Sequence, residues 1–319
     1  MRVAAFPKCY IDEISHGQMS LFEWIEQAQT LDVDGLELYE RFLPSTDVTF
    51  LDQVGDALQR HGFEMPMLCC SPDFTHPDAG ERQRAVDREM EMIAVARHLG
   101  GPGVTCRVLS GQRHPGVTDE QGIAWVLEAL DRLLPVARQH DVVLAMENHY
   151  KDGNWRYPEF AQRPEIFRHI VDAVQDRDHF GVQFDPSNAI VAGADPVDFL
   201  RTVADRIVSM QASDRYLEEG HSLAEMREAD GTLGYSPHLK HGVVGRGLND
   251  YDEIFRILRA VGYDGWISIE DGLNGLEEMA ESVRFLRAKI SQYPAPPEGA
   301  SDFVSAAAPT ALADGEDRS

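Results

Sequence analysis

Short apolar runs alternate along this chain with longer stretches in which apolar residues recur every three or four positions. Runs at 2–6, 34–39, 64–70, 103–109, 142–147, 180–184, 206–212 and 265–270 have the length and content of buried strands. The stretches at 20–31, 48–61, 80–99, 119–140, 163–175, 195–203, 250–261 and 275–290 carry the helical period. Their ends carry matching signals. Ser20 precedes Glu23 in a capping-box spacing, Asn249-Asp250 opens the helix near 250, and His61-Gly62, Leu99-Gly100-Gly101 and Val261-Gly262 supply glycine stops. Eight strand-then-helix units in series predict an α/β fold whose parallel sheet closes into a (β/α)8 barrel.

A doubly wound open sheet is the competing arrangement. It is disfavoured because no GxGxxG turn follows the first strand. Two segments fall outside the repeat. Residues 214–248 form a long connection after strand seven containing His221, His238 and His241, and loops of this length in a compact domain tend to be functional or disordered. Residues 294–319, opening Pro294-Ala295-Pro296-Pro297, are rich in Ala, Pro, Ser and Asp and predict a disordered tail. The expected organisation is a catalytic barrel over 1–293 followed by that tail.

Composition narrows the function. The formal charge is −25 over 319 residues. Such a field opposes nucleic acid and anionic lipid, both of which need basic surface, so neither is expected as a partner. No apolar run approaches the roughly 20 residues that span a bilayer, and Met1–Phe6 has no apolar leader core, so the reading is cytoplasmic. The four cysteines, Cys9, Cys69, Cys70 and Cys106, lack CxxC spacing, which suggests reduced buried thiols and no zinc. Cys69 and Cys70, adjacent in a strand, should face opposite ways.

Barrel enzymes place their chemistry where strands end. Strand five closes on Glu147-Asn148-His149, strand six on Asp185-Pro186-Ser187-Asn188, strand seven holds Gln211 before Ser213-Asp214, and strand eight closes on Glu270-Asp271. Three carboxylates and an amide converging from four neighbouring strands repel unless a cation sits among them. An all-oxygen set of this kind suits Mg2+ or Mn2+, with Glu147, Asp185, Gln211 and Glu270 as ligands.

The patterns Glu147-x-His149, Asp185-Pro186, Ser213-Asp214 and Ser268-Ile269-Glu270 resemble the sugar phosphate isomerase/epimerase superfamily of xylose isomerase-like TIM barrels over about residues 1–290. In that family the ligand on strand seven is histidine. Gln211 replaces its imidazole nitrogen with a neutral amide oxygen, making the site harder. An all-oxygen set also occurs in the related dehydroshikimate dehydratases, which are lyases. Met146–Trp155 with Tyr157–Gln162, His241–Asp252 and Gly265–Gly272 resemble more closely the α-subunits of bacterial C-glycoside deglycosidases. That likeness implies a metal-dependent lyase acting on 3-oxo-C-glycosides, Mn2+ as cofactor and a smaller β-subunit as partner, with homo-oligomerisation also expected. The alternative is a sugar or inositol-type isomerase, epimerase or dehydratase sharing the same base and metal. A repair endonuclease of similar fold would need more metal-binding histidines and a basic groove.

A carbonyl acidifies the neighbouring C–H, so either reaction needs a base beside the metal. His149, two residues past Glu147, fits this role, and His241 is the second candidate. Asn148, Asp214 and Trp155 are expected at the substrate, Trp155 with Tyr157 as a stacking surface. Glu37 closes strand two and is a further candidate for the pocket. His16, His76 and His114 read as ordinary surface residues.

Overall fold

The computed structural model describes residues 1–225, 236–270 and 272–294. The predicted tail from 295 onward and Asp271 lie outside the described residues, as does 226–235 within the long connection. The strands are β1 (Arg2–Ala5), β2 (Gly35–Leu36), β3 (Leu38–Tyr39), β4 (Met67–Cys69), β5 (Val104–Val108), β6 (Val142–Glu147), β7 (Phe180–Phe184), β8 (Ile207–Ala212), β9 (Arg215–Leu217), β10 (Leu239–His241) and β11 (Trp266–Ile269). Nine of them form one parallel sheet in the order β2-β1-β11-β8-β7-β6-β5-β4-β3. Since β2 and β3 are two halves of one strand split at Glu37, the order returns to its start and the barrel has eight staves. The split follows from pairing: Ala5 sits beside Leu36, whereas Leu38 sits beside Leu68, so the strand changes partner at Glu37. The predicted (β/α)8 architecture is therefore what the chain adopts.

Helices cover the sheet at Leu21–Gln27, Val48–Arg60, Ala79–Gly100, Asp119–His140, Pro164–Ala173, Pro196–Val203, Tyr251–Ala260 and Leu276–Gln292. Ser20 and Glu23 form the capping box that their spacing predicts. Short helices at Ile11–Ser15 and Pro186–Val191 are additional and lie in loops at strand ends. The long connection after β8 is ordered at its base as an antiparallel hairpin, with Leu217 beside Leu239 and Arg215 beside His241.

Strand alternation sorts the side chains into two environments. The outward set, including Leu68, Leu144, Val182, Met210 and Ile267, packs beneath the helices and carries the hydrophobic core. The inward set is polar: Glu37, Arg107, Glu147, Gln183, Gln211 and Ser268 are all buried. Gln211 Nε2 donates to Glu37 Oε2 at 2.8 Å through the barrel interior, joining staves that are not neighbours. An interior of this kind gives up the apolar layers that usually fill such barrels, and it forms the floor of the site.

Candidate active site

A cavity of about 530 Å3 opens at the C-terminal end of the staves, within the roughly 300–1,000 Å3 typical of small-molecule sites. Phe6 and Lys8 follow β1, Tyr39 ends β3, Arg107 rises from β5, and Asp185 and Glu270 close β7 and β11. The hairpin adds Arg215 and His241, and the loop after β6 adds His149 and Asp152. Their gathering follows from parallel strands that all end at one rim.

The acids are held in place by specific partners. Asp185 caps its own short helix by accepting from the Asn188 backbone N–H at 2.8 Å, and it accepts from Ser213 Oγ at 2.7 Å. Glu147 accepts from Asn188 Nδ2 at 3.0 Å and from Arg107 Nη1 at 2.8 Å. Glu270 pairs with Lys8 Nζ at 2.8 Å. Burial pushes the Asp185 carboxyl well up, reinforced by the charges of Glu270 and Glu147. Burial raises Glu147 as well, against the pull of His149 and Arg107. Glu270 goes the other way: burial works against its charge, yet Lys8, His149 and Arg107 bring it to about 2. Burial lifts Glu37 on the floor to about 8.

Four buried acids, Glu37, Glu147, Asp185 and Glu270, thus face two permanent cations, Arg107 and Lys8. Burial drives Glu37, Glu147 and Asp185 towards their protonated forms, and a divalent cation at such a cluster would displace those protons. Gln211 supports the same conclusion. Its Nε2 is committed to Glu37, while its buried Oε1 accepts from no donor among the described residues. A buried carbonyl oxygen lacking a donor is one that a hard cation could satisfy. Oxygen donors such as those of Glu147, Asp185, Gln211 and Glu270 are of the kind Mn2+ or Mg2+ take, although the three carboxylates do not all lie within 4.8 Å of one another and Glu147 and Gln211 lie below the residues that line the cavity.

His149 lines the cavity, and its Nδ1 stands 3.6 Å from Glu159 Oε2. Burial works to lower its pKa, but the carboxylates of Glu147 and Glu159 outweigh burial and raise it above the usual imidazole value. Glu159 is itself fixed by Ser110, whose N–H and Oγ–H donate to Oε1 at 2.7 and 2.6 Å. His241 also faces the cavity. Its Nε2 accepts from Arg215 Nη2 at 3.0 Å, because a guanidinium can only donate, so that lone pair is engaged.

The remaining sequence candidates have other duties. Asn148 clasps β6 to β7: its Nδ2 donates to the Asp185 carbonyl at 2.7 Å and its Oδ1 accepts from the Asp185 N–H at 2.8 Å. Asp214 accepts from the backbone N–H groups of Arg215, Gly245, Gly247 and Asn249, and so folds the loop that leads to Tyr251. Trp155 is buried with its ring edge-on to His149, centroids 6.5 Å apart, as a backing for that imidazole. Tyr157 packs against His114, whose Nε2 meets Asp73 Oδ2 at 2.7 Å. His16 stands on the cavity rim, although the sequence reads it as plain surface.

Lys8, Arg107, Asp152 and Glu159 escaped the sequence reading. Asp152 accepts from Tyr39 Oη at 3.0 Å and Ser71 Oγ at 2.7 Å. Burial opposes its charge, but hydrogen bonds from Asn154 and Ser71 and the charges of His149 and Arg107 bring it to about 2. A signal for Arg107 was available, since an arginine inside the strand Val104-Thr105-Cys106-Arg107-Val108 requires a buried counter-charge.

Comparison with known proteins agrees with the architecture. Residues 25–289 match the family described as xylose isomerase-like TIM barrels. Among curated relatives, a probable endonuclease 4 of Acholeplasma laidlawii is 26% identical over 190 residues, 58% of this chain and 59% of that protein. An inosose dehydratase of Lacticaseibacillus casei is 26% identical over 161 residues, 49% of each. The chain thus spans about half the length of the curated relatives it matches. Among solved structures, a D-tagatose 3-epimerase-like protein superposes with a TM-score of 0.70 at 17% identity, covering 92% of this chain and 98% of that one. The IolI protein with a binding zinc atom gives 0.67 at 16%, covering 93% and 100%.

Proposed function

Because the chain belongs to the xylose isomerase-like TIM barrel family, we propose that its mouth is a metal-assisted active site that removes a proton from carbon next to the carbonyl of a sugar or polyol. The outcome of that step is isomerisation, epimerisation or dehydration. The observation that carries this reading is the placement of His149 in the same cavity as Asp185 and Glu270, with Glu159 behind its ring. An imidazole backed by a carboxylate is oriented to take a proton and is stabilised once it holds one. His149 is the base, and the Glu159 carboxylate 3.6 Å from its Nδ1 favours the ring once it carries a proton.

Mn2+ or Mg2+ is the expected cofactor, held by Glu147, Asp185, Gln211 and Glu270. When bound, such an ion polarises a carbonyl and favours the enolate form of the substrate. Lys8 and Arg215 offer donors for hydroxyl or carbonyl oxygens at the cavity wall, and His241 lies beside Arg215. The name of the inosose dehydratase relative favours a cyclic polyol or sugar over a macromolecular substrate. The net charge of −25 argues against the DNA suggested by the name of the endonuclease relative.

A finer version of this reading is cleavage of a 3-oxo-C-glycoside, in which loss of the substituent at C1 follows the same proton removal. Its support is the likeness of the stretches around Glu147, His241 and Glu270 to C-glycoside deglycosidase α-subunits, together with a cavity roomy enough for a sugar carrying a substituent. That version includes a smaller β-subunit as partner. Among the described residues no helix is long and apolar enough to cross a membrane.

The test is solvent deuterium exchange into an inosose and a 3-oxo-glucoside, with Mn2+ supplied. We expect exchange by the wild type, and a fall of about 10²–10⁴-fold in His149→Ala, the usual contribution of a positioned base. Glu270→Gln should weaken Mn2+ binding. Exchange by His149→Ala at the wild-type rate and matched metal occupancy would refute the assignment of the base.

A further inference from the structure

A second polar cluster lies on the opposite face of the sheet from the mouth. Cys69 points inward, its Sγ 3.8 Å from Gln211 Nε2. Its neighbour Cys70 therefore points outward, beneath the helix Ala79–Gly100, where it meets Cys106 of β5 and Glu89 of that helix. The two sulfurs are 3.9 Å apart, and Cys106 Sγ stands 3.4 Å from Glu89 Oε1. All three donor atoms lie within 4.8 Å of one another, and all three residues are at most 1% exposed. A glutamate carried by a helix into the apolar layer between sheet and helix is costly, and nothing in the mouth chemistry uses it.

The distances can be compared with those a metal imposes. A tetrahedral ion with bonds of about 2.3 Å to sulfur and about 2.1 Å to oxygen sets sulfurs about 3.8 Å apart, and sulfur and oxygen about 3.6 Å apart. The observed 3.9 and 3.4 Å lie within a few tenths of an ångström of those values. A disulfide would bring the sulfurs to about 2.05 Å, and both thiols are free. Access exists as well. A cavity of about 320 Å3, lined by Glu40, Ser71, Arg88 and Glu89 among others, reaches the Glu89 side chain.

We propose that Cys70, Cys106 and Glu89 form a second metal site, for a thiophilic divalent cation such as Zn2+, that pins the helix Ala79–Gly100 to β4 and β5. The site is separate from the one at the mouth, whose proposed donors are all oxygen. Binding replaces the two S–H protons and the Glu89 proton by the ion. Three protons go to solvent and the filled site carries one negative charge, so apparent affinity rises with pH. The sequence conceals the site because its cysteines are 36 positions apart and its third donor sits on the intervening helix.

The experiment uses the full chain, reduced and stripped of metal by chelator, titrated with Co2+ and then with Zn2+. The expected result is a thiolate-to-cobalt charge-transfer band that saturates at one equivalent and is displaced by Zn2+. Cys70→Ser and Cys106→Ser should each abolish it and Cys69→Ser should keep it. Glu89→Gln, which leaves both sulfurs in place, should weaken Co2+ binding tenfold or more. Absence of a thiolate band in the wild type would overturn the proposal, as would a band that survives Cys70→Ser but not Cys69→Ser. The mouth site reports separately, as a sulfur-free cobalt signal lost in Glu270→Gln, so failure of one reading leaves the other standing.

Discussion

Replacing Arg107 by Met removes a charge from the barrel interior at nearly constant length. In the wild type its guanidinium donates to Glu147 Oε2 at 2.8 Å, to the Cys70 carbonyl at 3.1 Å and to Ser71 Oγ at 3.1 Å. The methionine fills the space but leaves Glu147 buried with Asn188 Nδ2 as its one hydrogen-bond donor among the described residues. Removing one member of a buried ion pair costs about 3–5 kcal/mol. At about 2–3 °C per kcal/mol for a chain of this size, the melting temperature in chelator falls by roughly 6–15 °C.

The loss depends on pH with a definite sign. Without Arg107, the Glu147 carboxyl moves further above its ordinary value of about 4.3. A folded-state pKa raised above the unfolded one gives stability that is complete below the unfolded value and lost as pH rises through the folded one. The deficit of the variant is therefore small near pH 5. It grows by up to about 1.4 kcal/mol per pH unit towards pH 8, because folding must then take up a proton or bury a bare carboxylate. Urea denaturation of both proteins at pH 5, 6, 7 and 8 measures this directly. A deficit below about 1 kcal/mol, or one that does not change across that range, would show that Arg107 does not neutralise Glu147.

Three further outcomes are expected. Glu37, lifted to about 8 by burial, contributes stability in its protonated form that is lost as pH rises from about 4.3 through 8; in chelator the urea midpoint of the wild type should fall between pH 5 and 9 and that of Glu37→Gln should be flatter, and parallel curves would refute the shift. Glu159→Gln removes a charge that raises the His149 pKa, so the rise of deuterium exchange with pH should move to lower pH in the variant, and an unmoved limb would detach Glu159 from His149. Asn148→Ala breaks both bonds of the β6–β7 clasp and should cost about 2–4 kcal/mol, read as a lowered urea midpoint; an unchanged midpoint would deny the clasp.

The staves were legible because outward-facing apolar residues dominate each strand, and the helices because their caps and stripes are local. Glu37 shows where this legibility ends. Its strand reads as one run over 34–39, but the change of partner from β1 to β4 that splits it is a property of barrel closure and leaves no local mark. The site divides in the same way. Position at a strand end pointed to Asp185 and Glu270, which line the cavity, and to Glu147 and Gln211, which lie beneath it, without revealing the direction of the neighbouring side chains. Asn148 and Asp214 turn back to hold backbone, whereas Lys8 and Arg107 turn in to meet acids 262 and 40 residues away. Ion pairs of that separation are set by topology, and hydrophobic periodicity does not record them.

The hairpin β9–β10 contributes Arg215 and His241 to the cavity wall but pairs with no stave of the barrel. The proposed base and ligands stand on the barrel's own strands or directly after them. Under the proposed function, the groups that would hold a substrate on that side and those that would react with it are built on separable pieces of chain. Exchanging residues 215–241 for a hairpin of different length and polarity would retune selectivity while leaving the proton chemistry in place. For an engineer, this makes the hairpin the first segment to randomise when a new substrate is sought.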